Sequence, residues 1–497
     1  MDGFMGWLEE VNAALGAFVW GLPMMVLLIG SGVWFTLRSG FFQLAHARLI
    51  ARETVCSLFR KRPGAARDKH AISQFQAFST ALAATIGVGN IAGVATAISS
   101  GGPGAVFWMW VAAFFGMMTN YAENVLGVFY RKRGTSGEWV GGAMYYIEEG
   151  LKGKRFLGQL AQPLAKLFAL FCVLASFGMG NMSQVNTIAA SLDDVFAVPP
   201  AVTGAALAVL IGLVVLGGIK RIAKVTEKVV PVMAAGYILA AAAVLVVNRA
   251  QIPAVFGGIF RAAFSSEAVL GGAAGVAVRS AVSWGLKRGV FSNEAGLGSS
   301  VMVHAAADCR EPAVQGMWGA FEVYFDTILL CTLTAFTILS TGVVGAVDAA
   351  GLPVDGASLV SLAFANTFHE SAGAVLAVSV TLFAFATVLG WSYYGEQAVA
   401  YLAGEKAGVL YKIAYAAAAF AGSTMSLGLV WDLSDTFNAL MAIPNLVAVL
   451  ALSGTVFAIT RNYLARRRGA RTRPMLSAYA DVQKRQAEAL EQERRAG

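Results

Sequence analysis

The chain has 497 residues, 57% of them hydrophobic and 13% charged, a balance that excludes an ordinary soluble enzyme and describes a polytopic membrane protein. Its formal charge of +8 does not indicate nucleic acid, because the basic residues fall mainly in loops between apolar runs, where they set orientation. Cys56, Cys172, Cys309 and Cys331 lack C-x-x-C spacing, so neither a disulfide framework nor a zinc site is expected.

Hydropathy places about eleven spans, each near or above the ~20 residues that a hydrocarbon core requires. They fall at residues 14–37, 72–99, 104–130, 161–192, 201–217, 229–247, 272–305, 313–342, 371–403, 407–426 and 437–460. Met1 to Glu10 lacks a basic start and the first apolar run continues into a full span, so no removable signal peptide is expected. Arg48, Arg52, Arg60, Lys61, Arg62, Arg67 and Lys69 follow the first span, which puts that loop in the cytoplasm and the N-terminus outside. Alternate loops obey the same rule: Arg131 to Arg133 with Lys152 to Arg155, then Lys220, Arg221, Lys224 and Lys228, then Arg310 and Lys406, and finally the tail from Arg461. Outer segments carry Asp193, Asp194, Asp348, Asp355, Asp432 and Asp435, with Arg249 and Arg261 as exceptions.

Apart from an extra N-terminal span and loop (residues 1–71), the spans fall into two sets of five, residues 72–250 and 251–461. Residues 462–497 form a charged, solvated tail. Each set opens with a glycine-interrupted helix, and because five is odd the second set enters the membrane from the opposite side. The expected fold is therefore an all-α inverted 5+5 repeat, in which paired interrupted helices mark the substrate site.

In the first interrupted helix, Gly87-Val-Gly-Asn90 sits at mid-membrane. The half ending near Thr85 presents free carbonyls, suited to a cation, and the half starting near Asn90 presents free amides, suited to a carboxylate. Small-residue helix packing would also explain Gly87, Gly89 and Gly93. The second interruption is expected at 289–298, after Lys287 and Arg288 and around Glu294; the charges there either cap and pair with one another or contact a ligand. Glu123, Glu322 and Asp326 also lie in apolar spans and are proton or cation candidates, with pairing inside the bundle as the alternative. On the fourth span, Phe177, Asn181 and Gln184 follow helical spacing; on the ninth, Thr381, Thr387, Trp391 and Ser392 offer hydroxyls and an indole. Enzyme chemistry finds no footing: His46 and His70 fall in an inner loop, His304 near an inner end and His369 in an outer segment, so no His–carboxylate cluster is expected at one depth, and no phosphate-binding loop is present.

Four motifs, Gly87-Val-Gly-Asn-Ile-Ala-Gly-Val-Ala95, Gly101-Gly-Pro-Gly-Ala-Val-Phe-Trp-Met-Trp110, Gly141-Gly-Ala-Met-Tyr-Tyr-Ile147 and Lys287-Arg-Gly-Val-Phe-Ser-Asn-Glu-Ala-Gly-Leu-Gly298, closely resemble the alanine or glycine:cation symporter family over nearly the whole chain. The resemblance implies sodium-driven uptake of alanine or glycine across the plasma (inner) membrane, with no cofactor beyond the co-transported Na+, on a leucine-transporter-type fold. It also implies a substrate cradle of Gly87, Val88, Gly89, Asn90, Val290 and Phe291, a pocket wall of Phe177, Gln184 and Trp391, and a sodium site of Thr85, Val88 and Thr387. Proton-coupled symport is the alternative. One departure stands out: the family's usual Thr-Lys-Tyr-Ala-Glu reads Thr119-Asn-Tyr-Ala-Glu123 here, so a lysine partner for Glu123 is missing.

Overall fold

The computed structural model describes residues 2–59, 68–264, 274–348, 350–425 and 428–496. Arg60, Lys61, Arg62 and Arg67, and residues 272, 273 and 426 at the edges of two expected spans, lie outside the described residues. The molecule is a helical bundle, with one two-residue hairpin pairing Lys132–Arg133 with Trp139–Val140 among the described residues. Long Ala-, Val- and Leu-rich runs with few prolines leave the helix as the one way to pair every backbone group within a segment.

Seven stretches of the described residues are long and apolar enough to cross a membrane: 9–38, 104–129, 161–196, 218–247, 312–341, 356–403 and 431–451. Four expected spans fall outside this set for visible reasons. The first interrupted helix is two short pieces, Gln74–Thr85 and Ala92–Gly101. Pro200–Val215 is sixteen residues. Ala274–Asn293 carries Arg279, Lys287 and Arg288, and Ala407–Thr424 contains Lys412 and four polar or hydroxylated neighbours of its apolar residues.

Three sequence readings change. The basic stretch Lys220 to Lys228, expected as a loop, is the opening of helix Gly218–Val247. Lys220, Arg221, Lys224 and Lys228 line its exposed face, while Ile222, Ala223, Thr226 and Val230 are buried; an amphipathic opening lets the charges reach water while the helix continues. The span expected at 437–460 is two helices, Gly428–Ala451 and Ser453–Arg467. The tail is docked rather than solvated throughout: Leu476, Val482 and Gln486 are buried, and Ala478 N–H donates to Phe129 O at 2.9 Å. Val482, Gln486 and Ala489 lie at helical spacing, so a narrow apolar stripe suffices to seat an otherwise charged helix.

The basic segments gather at one end of the bundle. There Arg467 pairs with Glu53 at 2.5 Å and Arg466 with Glu311 at 2.6 Å. Arg131, 1% exposed, donates to the carbonyls of Ala305, Ala307 and Cys309 and stacks 4.1 Å from the Trp139 ring centroid. Ile72 N–H donates to Ala306 O, and Asp308 N–H to Ile72 O, which ties the start of the first interrupted helix to the end of the second.

Glycines set the closest helix approaches. A Cβ on Gly285 would lie 2.4 Å from Ala105 O and one on Gly289 3.2 Å from Met109 Cα, so Ala274–Asn293 rests directly on the backbone of Gly104–Phe129. The substitution Gly285→Ala is expected to cost about 1–3 kcal/mol through overpacking, lowering the thermal midpoint of the detergent-purified protein by several degrees. Gly236→Ala, inside helix Gly218–Val247 with no neighbour within 4 Å of the added Cβ, should not lower that midpoint, since alanine is the better helix former.

Candidate substrate and ion site

Helix Gln74–Thr85 starts at a reciprocal cap, in which the Ser73 hydroxyl takes the Gln76 N–H and the Gln76 side chain takes the Ser73 N–H. It ends where Ile86 turns to ψ 86° and Gly87 becomes extended at φ −126°, ψ −152°. Residues Val88–Asn90 make one tight 3-10 turn, and the helix resumes at Ala92. Gly87 is needed for close approach: a Cβ there would sit 2.6 Å from Thr387 Oγ1 and 3.3 Å from Gln184 Oε1. Two side chains from helices far apart in sequence therefore converge on one backbone unit.

The Thr387 hydroxyl lies 3.1 Å from Ala83 O, 3.4 Å from Ile86 O and 3.1 Å from Phe383 O. One hydroxyl donates a single hydrogen, so this is a cluster of hard oxygens with fewer donors than acceptors, the kind of set that suits a small cation. Gln184 Oε1 accepts from Val88 N–H at 3.5 Å, and its amide donates to Met179 O at 3.1 Å. Thr85, by contrast, turns its hydroxyl to Leu82 O, and its own carbonyl accepts from Gly87 N–H.

Asn90 is the hinge pin of this break. Its Oδ1 accepts from Gly87 N–H at 3.1 Å, and its Nδ2 donates to Asp326 Oδ1 at 2.6 Å. Asp326 Oδ2 accepts from Thr327 and from Ser292, each at 2.8 Å. Ser292 belongs to the second interrupted helix, so one buried carboxylate holds both.

The second interruption begins later than the sequence suggested. The helix persists through Gly289, Val290 and Phe291 to Asn293, because Gly289 is a packing glycine and not a breaker. The irregular stretch is 294–300, with positive φ at Glu294 (55°), Gly296 (94°) and Gly298 (75°), before a short helix Val301–Ala305. The two interruptions meet: a Cβ on Gly89 would lie 3.5 Å from Phe291 Cδ1 and 3.9 Å from Ser292 Cα. Glu123 takes the Asn445 amide and Gly296 N–H, and Asn445 also donates to Gly296 O at 2.8 Å.

The remaining sequence-derived candidates divide. Trp391 lies one turn beyond Thr387, donates Nε1–H to Glu294 Oε1 at 3.0 Å, and presses on Gly180, where a Cβ would be 2.4 Å from Trp391 Cβ. Val290 shares a narrow cleft with Trp20, Leu28 and Leu286. The Phe177 ring packs against Tyr411 and Tyr415, at 5.3 and 5.8 Å, and Asn181 donates to Tyr415 O at 2.6 Å. A π-helical turn at Gly178–Met182 resets the register, so Phe177 and Asn181 look toward helix Ala407–Thr424 while Gln184 looks toward Gly87. Lys287 reaches Asp435 at 3.4 Å, not Glu294, and Arg288 lies 5.6 Å from the Phe291 ring centroid.

Relatives place this geometry in a family. The model of the sodium:alanine symporter family matches residues 5–477. The chain belongs to that family. A sodium/alanine symporter, AgcS, of Methanococcus maripaludis is 45% identical over 92% of this chain and 98% of its own length. An uncharacterized transporter of Haemophilus influenzae is 43% identical over 92% and 97%. Among solved structures, a Na+-coupled sialic acid symporter in its substrate-bound outward-open state covers 97% of this chain and 96% of that one with TM-score 0.53 at 14% identity; the likeness is one of fold, the leucine-transporter type. The symporter is thus an integral membrane transporter of alanine-type substrates, not an enzyme.

Asp326 joins the two interruptions, a contact that spacing alone did not assign. Its signal was an acid amid an apolar span, and the π-helical turn Tyr324–Cys331 that carries it is not readable from composition. In the symporter, Asn90→Ala leaves Asp326 Oδ1 short of its buried donor, at about 1–3 kcal/mol, and takes from Gly87 N–H one of its two acceptors, Thr85 O remaining. Labelled-alanine binding should weaken by roughly ten- to a hundredfold, with the thermal midpoint falling by an amount comparable to that for Gly285→Ala.

Proposed function

We propose that the protein is a secondary active symporter that brings alanine or glycine into the cell together with Na+. The convergence of Thr387 and Gln184 on Gly87 carries this reading. Sodium sits against the Thr387 hydroxyl and the Ala83 and Ile86 carbonyls, beside the Thr85 to Val88 backbone. The amino acid lies between residues 87–90 and Phe291, its carboxylate on the amides after the break and its ammonium group toward the free carbonyls and Gln184 Oε1. Phe291 on Gly89 and Trp391 one turn from Thr387 leave little room for a side chain, which favours alanine and glycine over leucine or phenylalanine. The family membership and the name of the Methanococcus relative support the substrate class.

The N-terminus lies outside and the C-terminal tail in the cytoplasm of the plasma (inner) membrane. What supports this orientation is the collection of Arg131, Arg133, Arg466 and Arg467 at one end of the bundle. Exposed Val209, Leu213, Val232, Leu239 and Val246 form flanks suited to lipid.

The ion gradient suffices as a source of energy. One charge crossing 100 mV yields about 2.3 kcal/mol, and a tenfold concentration ratio about 1.4 kcal/mol, enough for accumulation by several hundredfold without ATP. Proteoliposomes are expected to take up labelled alanine several times faster with an inward sodium gradient than with equimolar sodium; a rate that follows a proton gradient alone in sodium-free buffer would replace this reading with proton coupling. Thr387→Ala should raise the sodium concentration for half-maximal uptake at least tenfold, and an unchanged value would remove Thr387 from the ion site.

A further inference from the structure

Below the second interruption lies a buried polar chain that neither the substrate nor the sodium position uses. His304 ends the short helix Val301–Ala305 and is 0% exposed, as are Gln315 and Glu322 on the neighbouring helix Pro312–Val323. Gln315 Nε2 donates to His304 Nδ1 at 2.6 Å, and His304 Nε2–H donates to Glu322 Oε2 at 2.9 Å. Asn120 Nδ2 donates to the same carboxylate oxygen at 3.4 Å, and Asn120 Oδ1 accepts from Asn124 and from Ser300, a residue of the interruption itself. The chain therefore runs from Gln315 through the imidazole and the carboxylate to the irregular backbone beside the substrate position.

Two observations set it apart from a satisfied structural network. Gln315 Oε1, Glu322 Oε1 and Asn124 Oδ1 are all buried without a hydrogen-bond donor, which costs about 1–3 kcal/mol per group. A half-turn of the Gln315 amide would put Oε1 against His304 Nδ1, and that contact is a hydrogen bond only if Nδ1 carries a proton. The second observation is charge. Glu123, Glu294, Glu322 and Asp326 are at most 2% exposed, and among the described residues His304 is the one ion-pair partner any of them has. A lone buried carboxylate is expensive, and an imidazolium hydrogen-bonded to it cancels the charge.

We infer that His304 and Glu322 form a proton-binding pair, built into the base of the second interruption, that binds and releases one proton as the substrate site fills and empties. The proton adds to His304 Nδ1 while Gln315 turns its carbonyl to receive it, and the pair becomes neutral overall. Its loss leaves Glu322 charged beside Glu123 on helix Gly104–Phe129, Glu294 in the interruption and Asp326 on its own span, and loosens the seat of Ser300. Arg131, bonded to Ala305 O, opposes the proton; Tyr394 is the titratable neighbour on helix Ala372–Ala403. Helix Gln74–Thr85 contributes no charge, and Glu53, Glu311, Arg466 and Arg467 at the adjoining end pair with one another.

This inference deepens the transport reading and rests on it for the position of the substrate, but its first test needs no transport. Alanine binding to the detergent-purified protein at saturating sodium is measured calorimetrically in buffers of differing ionisation heat, between pH 5.5 and 8.5. A fractional proton exchange per alanine that varies with pH is expected, and His304→Gln should abolish it while sodium-dependent binding persists. Gln315→Leu, which keeps both members of the pair but removes the amide that bonds His304 Nδ1, should shift the pH at which exchange is greatest. Zero exchange in the unaltered protein, or the same exchange in both variants, overturns the pair as a proton site. Loss of the sodium requirement would instead overturn the symport reading and leave the proton result standing.

Discussion

The carboxylate of Asp326 receives the Asn90 amide from one interrupted helix and the Ser292 hydroxyl from the other, and the site exists because those two contacts hold. Interrupting a helix inside a bilayer strands backbone groups that lipid cannot satisfy. Here Asn90 Oδ1 takes the Gly87 N–H, Thr334 donates to Asn90 O at 2.9 Å, and Gln184 faces Val88. The broken backbone is thereby held by side chains from the spans 161–196 and 312–341 as well as by Asn90 itself, so displacement of any one of these reaches the others.

The same economy governs the second interruption. Glu123 and Asn445 secure Gly296, the left-handed residues Glu294, Gly296 and Gly298 supply the turn, and Trp391 and Ser299 occupy the Glu294 carboxylate. Below it, Arg131 gathers three consecutive alternate carbonyls at the end of the short helix, and Ile72 pairs with Ala306 and Asp308. The tail adds a further layer, since Arg485 and Gln486 line a cavity of about 250 Å³ together with Arg131, Arg133 and Cys309. Any opening toward that side has to part these contacts first.

Much of this was legible in the sequence, and the exceptions have physical causes. Apolar run length located seven membrane-length stretches, and Gly87-Val-Gly-Asn90 located the first interruption, because two glycines and an asparagine in four residues weaken a helix at that depth. The second interruption was displaced by several residues because Gly289 serves close packing against Met109 and not turning. Phe177 and Asn181 were aimed at the site by ideal helical spacing, and the π-helical turn after Phe177 points them elsewhere. Asp326 stood out as an expensive residue, yet its partners lie 236 and 34 positions away, a pairing that no local pattern encodes.

On the proposed function, a zwitterion and a cation share the place where the two interruptions touch. The most direct measurement is an experimental structure of the protein with alanine and sodium bound. It should place the amino acid between residues 87–90 and Phe291, with the ion against Thr387 Oγ1 and Asn90 still on Asp326. Alanine density elsewhere in the bundle, with residues 86–91 and 294–300 undisturbed and empty, would contradict it.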